Sequence, residues 1–184
     1  MSRTFQLLLT VTLALGFAGC QSTPTEVNPK FGLATMTLLG TVKFDQGTNS
    51  IVGDAAIRFE RPDRYEMVVT KGPTLTFCHV VSDGKNWKVE FPMQKRSLSG
   101  SETPGNEELA LWIESRRAVS EAIERAQFAD PFTETMHGEY KSGHLFKMEL
   151  SEFRRVVGQI LATRLRLTCQ GCKSSLEIVI REVK

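Results

Sequence analysis

The sequence is short of the residues that carry chemistry. Its 184 residues include three histidines, and His79, His137 and His144 lie without His-Glu-x-x-His or comparable ligand spacing. Neither Gly-x-Ser-x-Gly nor a phosphate-binding glycine-rich loop occurs. An enzyme is therefore not the expected reading, and neither a metal nor a cofactor is called for. Glu134 and Glu139 near His137 could form an acid–base pair, but a loop with scattered polar residues is the simpler expectation. An excess of one charge is also missing: 23 Lys and Arg face 21 Asp and Glu, a formal net charge of +2. Without a basic stripe, nucleic acid is excluded as a partner. Beyond the N-terminus no apolar run approaches the roughly 18 residues that a membrane span needs.

What is present begins at the N-terminus. Met1-Ser-Arg-Thr4 carries one positive charge, and Phe5 to Ala18 is largely apolar. This is the layout of a cleaved signal peptide, too short to span as a permanent helix. Phe17-Ala18-Gly19-Cys20 resembles a lipobox, in which small residues precede the cysteine that is acylated and becomes the new first residue. The alternative is an ordinary secretory signal with an incidental cysteine. Residues 1–19 are thus expected to be a lipoprotein signal, and 20–30 a lipidated tether. Gln21 to Lys30 is polar, punctuated by proline and free of periodicity, as a tether should be. Acyl burial is worth about 0.8 kcal/mol per CH₂, so two or three chains on Cys20 would hold the protein on a membrane. Asp after the cysteine is a common inner-membrane retention signal, and Gln21 stands there instead. The expectation is an outer-membrane anchor with the domain in the periplasm.

The domain, 31–184, is dominated by alternation with period two. Leu33 to Phe44 and Ile51 to Glu60 read as strands around the turn-rich Asp45 to Ser50. Tyr65, Met67 and Val69 alternate, then Leu75, Phe77, His79 and Val81, then Trp87, Val89 and Phe91, with a short strand over Lys95 to Leu98. Asp83-Gly84 is a hairpin signal. Leu109, Trp112, Val119, Ile123 and Ala126 then recur at helical spacing. Asn106 can cap that helix, Glu107 and Glu108 suit its positive end, and Asp130-Pro131 stops it. Phe146, Met148 and Leu150 alternate again, followed by Leu161 to Cys169 and Leu176 to Ile180. Short connections imply antiparallel neighbours. The fold class is α+β, an antiparallel sheet with one apolar face and one helix to cover it. A strongly curved sheet with the helix on its concave side would make a half-barrel with a lined cavity. The same pattern also fits a solid core, because side chains fill small barrels.

Cys169-Gln-Gly-Cys172 straddles an expected hairpin turn, whereas a redox Cys-x-x-Cys opens a helix. One such pair is half a zinc site. Two cysteines facing each other across a hairpin in an oxidising compartment can form a structural disulfide, with free thiols the next reading. Cys78 is then left over, packed as a small hydrophobe.

The order of these segments resembles the LolA/LolB superfamily of lipoprotein carriers and acceptors, the membrane-anchored LolB-like branch in particular. Gly40-Thr41-Val42 resembles its opening strands. Arg61-Pro-Asp-Arg-Tyr-Glu-Met-Val-Val-Thr70 resembles its third strand, Leu111-Trp112-Ile113 its covering helix, and Ala162 to Thr168 with Ser175 to Lys184 its final hairpin. Lys71-Gly-Pro-Thr-Leu75 falls where LolB-like proteins carry a projecting loop with an exposed leucine. The resemblance implies a monomer that binds lipoprotein acyl chains without covalent chemistry and receives them from a soluble periplasmic LolA-like carrier. It implies a pocket lined by Phe59, Met67, Val69, Phe77, Trp87, Phe91, Phe146, Met148 and Leu165. Gly72, Pro73 and Leu75 would touch the membrane or the carrier, although Leu75 fits equally a strand residue facing the core. The alternative is a structural or sensory envelope lipoprotein of the same fold.

Overall fold

The computed structural model describes residues 35–60, 64–126, 135–156, 159–171 and 173–184, all within one unit, Leu33–Lys184. The expected signal and tether, with Cys20, lie outside the described residues, as does Cys172. Six strands come first: β1 Thr35–Gln46, β2 Asn49–Glu60, β3 Arg64–Lys71, β4 Leu75–Ser82, β5 Trp87–Phe91 and β6 Arg96–Gly100. Helix α1, Glu107–Ala126, follows, and then β7 Thr135–Ser142, β8 His144–Val156, β9 Gln159–Gln170 and β10 Ser174–Val183.

The ten strands form one antiparallel sheet in the order β6-β5-β4-β3-β2-β1-β10-β9-β8-β7. Each half is a meander of sequence neighbours, and the β1–β10 pairing joins them. The sheet is open, with β6 and β7 at its edges. Laid flat it would be roughly 45 Å wide at about 4.8 Å per strand, whereas a helix with its side chains is about 10–12 Å across. Yet α1 touches β4 and β5 on one side and β8, β9 and β10 on the other. One helix can meet both halves only if the sheet curls around it. The open side is bridged where His144 Nε2 meets the Pro104 carbonyl at 3.3 Å.

Alternation works as expected through β1 to β3: Leu38, Ala55, Ile57, Phe59, Tyr65, Met67 and Val69 are buried, with exposed or half-buried residues between them. Burying such a side chain contributes about 1.5–3 kcal/mol. Two segments depart from the expectation. In β4 the buried residues are Cys78, Val80 and Ser82, so His79 and Val81 face outward. The cause is a register shift between Val69 and Thr70, where the partners step from Cys78 to Thr76 and leave Phe77 over. A bulge of this kind inserts one residue and reverses the phase beyond it. The second departure is β7, a strand over Thr135–Ser142 where a polar loop was expected. It pairs along its whole length with β8. At an edge a strand can carry polar residues and still gain a full ladder of backbone hydrogen bonds.

Helix α1 starts where the sequence suggests. Asn106 Oδ1 accepts from the Leu109 amide at 3.0 Å, and the Ala110 amide donates to the Asn106 carbonyl at 2.9 Å. Glu107 and Glu108 occupy its first turn and Arg125 its last. Leu109 to Ser115 are buried without interruption, nearly two full turns. The stretch Leu109–Ser115 is therefore enclosed on every side, which a surface helix with one apolar stripe would not be.

Candidate functional site

The concave face of the sheet is the place to look for a lined interior. Of the residues expected to line it, Phe59, Met67, Val69, Phe91, Phe146, Met148 and Leu165 are buried there. The structure brings them around α1, whose side chains occupy the space between the two halves. Trp112 stacks obliquely on Phe44, ring centroids 5.2 Å apart, and meets Phe77 at 6.3 Å. Phe77, the extra residue of the β4 bulge, is half-buried and reaches Phe91 edge-on at 6.1 Å. Trp87 departs from the expected lining. It stands half-buried near the sheet edge, where its Nε1 donates to the Glu102 carbonyl at 2.8 Å and its ring covers Gly100. An aromatic with an N–H is suited to such a seam, one side dry and one polar.

Few polar groups enter this interior. Ser115 Oγ donates to the Trp112 carbonyl at 2.6 Å, which leaves the Tyr65 hydroxyl to donate to Ser115 Oγ at 2.9 Å. Burial pushes the Tyr65 phenol far above its ordinary pKa, so it remains a neutral donor. Burial, reinforced by Glu108, likewise drives the Cys78 thiol up. That cysteine is an inert filler, not a nucleophile. Trp112 Nε1 is buried and has no hydrogen-bond partner among the described residues.

At one end of the half-barrel lies a hollow of about 210 Å³, the mouth, lined by Gln46, Phe91, Gln94, Arg96, Leu98, Asn106, Glu108 and Leu109. The β3–β4 and β5–β6 hairpins end at this same side of the sheet, as the strand directions require. Gly72 takes a left-handed φ of 71° in the first of them. Leu75 beside it is 49% exposed, and Met93 in the short 3₁₀ turn of the second is 59% exposed. Leu75 thus faces solvent and not the core. The sequence reading gave no site role to Met93 or to the mouth residues Gln46, Arg96 and Glu108. Met93 belongs to no period, and the mouth is assembled from three distant segments. Larger hollows of about 380 and 330 Å³ lie elsewhere, one lined by Leu39, Gly40, Ala56 and Val68 among others, one by Arg58, Arg64 and Val81 among others.

On the convex face His79 is held on both ring nitrogens, Nε2 to Glu66 at 3.0 Å and Nδ1 to Glu90 at 3.2 Å. Glu66 and Glu90 thus each meet one ring nitrogen, a ladder of side-chain hydrogen bonds across β3, β4 and β5. Among the described residues no group of three or more His, Cys, Asp and Glu could hold a metal ion. His137 and Glu139 sit on edge strand β7, where Glu139 pairs with Lys147 at 3.4 Å, and Glu134 lies outside the described residues. Cys169 is buried and disulfide-bonded, whereas Cys78 is free. Among the described residues no helix is long and apolar enough to cross a membrane.

The chain is similar in structure to LolA-superfamily proteins. One is a LolA superfamily protein from Nitrosomonas europaea, at 6% identity and a TM-score of 0.46, covering 84% of this chain and 87% of that one. Another was solved as an outer-membrane lipoprotein-sorting domain from Vibrio parahaemolyticus, at 6% identity and a TM-score of 0.43, covering 82% and 85%. A third, of the DUF1329 family from Desulfovibrio piger, has 8% identity, a TM-score of 0.43 and the same coverage. No protein-family model matches the chain, and no curated protein does.

Proposed function

We propose that this protein is a lipid-anchored envelope protein whose half-barrel binds acyl chains and takes part in lipoprotein reception at the outer membrane. The observation that carries the reading is the imbalance between a ten-stranded sheet with an apolar inner face and the single helix among the described residues that covers it. Hydrocarbon tails could replace the side chains of α1 against that face at small net cost, since apolar surface is exchanged for apolar surface. The polar ties to be broken include Tyr65–Ser115, Gln46–Glu108 and the bond from Arg125 to the His137 carbonyl. Methionine and aromatic side chains suit disordered tails because they adapt their packing. Acylated Cys20 would supply the anchor, and a soluble periplasmic carrier would deliver the cargo to the end bearing Leu75 and Met93. No nucleotide is needed for transfer from a weaker pocket to a tighter one.

A second reading is favoured by one specific observation. Phe59, Met67, Val69, Phe146, Met148 and Leu165 are each at most 3% exposed, as in a core that is already complete. On that reading the domain is a structural or sensory envelope lipoprotein with no transport role. Native mass spectrometry with a fluorescent fatty-acid displacement assay separates the two. Co-purifying acyl species, displaced by lipopeptide, support the carrier, and a ligand-free core that takes up no probe overturns it. Depleting the protein should also make other lipoproteins accumulate in the wrong membrane.

A further inference from the structure

Among the described residues one buried side-chain polar group has no hydrogen-bond partner. Trp112 is fully buried, and its indole Nε1 has no hydrogen-bond partner. Buried donors of this kind are uncommon in folded proteins and costly to keep. Tyr65, one layer away, shows how the same interior treats a polar group that serves only packing: it is bonded to Ser115. The position of Trp112 relative to the mouth is fixed from two directions. On β1, Phe44 lies two residues below Gln46, on the same face of the strand. On α1, Trp112 lies four residues below Glu108, on the same face of the helix. Gln46 and Glu108 meet across the mouth at 3.4 Å, and Phe44 and Trp112 meet beneath them at 5.2 Å. Phe91 lines the mouth and joins the same layer through Phe77. The layer beneath the mouth is therefore aromatic, with Phe44 and Phe77 against Trp112, and among the described residues its indole N–H is the buried side-chain donor left unpaired.

We infer that Trp112 is the specificity-determining residue of the interior, donating its indole N–H to the carbonyl oxygen of an acyl ester or amide that enters through the mouth between β1, α1 and the β5–β6 hairpin. The inference rests on the acyl-binding reading and narrows it. Phe44 and Phe77, the rings in contact with Trp112, offer a charged acceptor nothing to replace its lost hydration. A neutral carbonyl attached to a hydrocarbon tail meets both demands, because the oxygen takes the N–H and the tail replaces apolar contacts. Bare hydrocarbon would fill the same space and leave the donor unpaired.

The experiment uses purified protein with ¹⁵N-labelled indole groups, titrated with methyl octanoate, N-methyl octanamide or nonane. Two indole signals are expected, one from Trp87, already bonded to Glu102, and one from Trp112. The ester and amide should move the Trp112 signal downfield, nonane should leave it near its free position, and Trp87 should not respond. The two carbonyl ligands distinguish a glycerol-ester source from an N-acyl source of the same chemistry. Trp112→Phe keeps a ring in the layer and removes the donor. It should weaken the carbonyl ligand that shifts Trp112 by about 3- to 10-fold while leaving nonane unchanged. If nonane binds and the Trp112 signal responds to no carbonyl ligand more than to nonane, this inference falls and acyl binding stands. Carbonyl affinity retained in Trp112→Phe has the same consequence. If none of the three ligands binds the folded protein, both readings fall. The measurement on the unsubstituted protein decides the matter even if the variant does not fold.

Discussion

A methyl group added at Gly40 should be among the most damaging single changes the chain can take. A β-carbon built there would stand 1.9 Å from the Val179 carbonyl oxygen, 2.9 Å from the carbon behind it and 3.1 Å from the Ile180 Cα. All three are backbone atoms of β10, so no rotamer change relieves the clash. The register of the β1–β10 pair shifts between Leu39 and Gly40, which brings the two backbones together at this point. Their pairing is also where the two meanders join. To restore contact distance the strands must part by more than about 1 Å. Overpacking of this kind costs about 1–3 kcal/mol, and one or two lost ladder hydrogen bonds add about 0.5–1.5 kcal/mol each. Gly40→Ala should therefore lose about 3–4 kcal/mol, a large part of the roughly 5–15 kcal/mol of a typical domain. Urea unfolding followed by circular dichroism measures it, with the midpoint expected to fall at unchanged slope. Gly105→Ala is the control, since nothing lies within 4 Å of its β-carbon, and it should stay within about 0.5 kcal/mol of the parent. A loss at Gly40 below about 1 kcal/mol, or no larger than at Gly105, would refute the reasoning.

Three further changes test other parts of the structure. Asn106→Ala removes the side-chain acceptor of the Leu109 amide and should cost about 1 kcal/mol in the same assay, with Asn106→Asp or Asn106→Ser recovering most of it. The Asp83 carboxylate, held down to about 2 chiefly by the Asn86 and Lys85 amides, should keep the β4–β5 turn closed at neutral pH. Its folded pKa lies below the ordinary 3.8, so its contribution is complete above about pH 4 and is lost as the pH falls towards 2. Amide exchange at Lys85 and Asn86 should rise over that window, and Asp83→Asn should flatten the dependence. Cys78, fully buried and with its thiol pushed far up, should resist iodoacetamide in the native protein at pH 8 and react readily in urea. Rapid native labelling would contradict the packing assigned to β4.

Most of the strand order was legible because each central strand has one dry and one wet face. Met67 and Val69 alternate with Glu66, Val68 and Thr70, and such a pattern needs no knowledge of the neighbours. The helix was legible because its cap, acidic first turn and apolar spacing agree. Two things were not. The phase of β4 is set by a bulge, and nothing in Thr74-Leu-Thr-Phe-Cys-His-Val80 marks which residue will be extra. Leu75, Phe77, His79 and Val81 form as good an alternation as Cys78 and Val80. Strand β7 was missed because its alternation, Met136 and Tyr140 against His137, Glu139 and Lys141, is short and broken by Gly138. Its hydrogen bonds come from β8, whose own pattern was plain.

The interior exposes a deeper limit of reading from periodicity. Alternation in β2, β3 and β8 records that Phe59, Met67 and Phe146 leave water, and it carries no information about what replaces the water. A helix of the same chain and a foreign hydrocarbon tail dry a sheet face equally well. The distinguishing information lies instead in the covering element. A stretch from Leu109 to Ser115 that is buried on all sides, with Glu114 and Ser115 among its residues, is more deeply enclosed than its composition suggests. It also contains an indole N–H that has no acceptor among the described residues. Whether the domain is a carrier or a finished core therefore turns on the covering helix, and Trp112 is where the two readings make opposite predictions. A finished core takes up no acyl ligand, so Trp112→Phe should change no binding property there, and in stability the lost ring volume is set against the removal of an unsatisfied donor. A carrier that reads an acyl carbonyl should keep its fold and lose its preference.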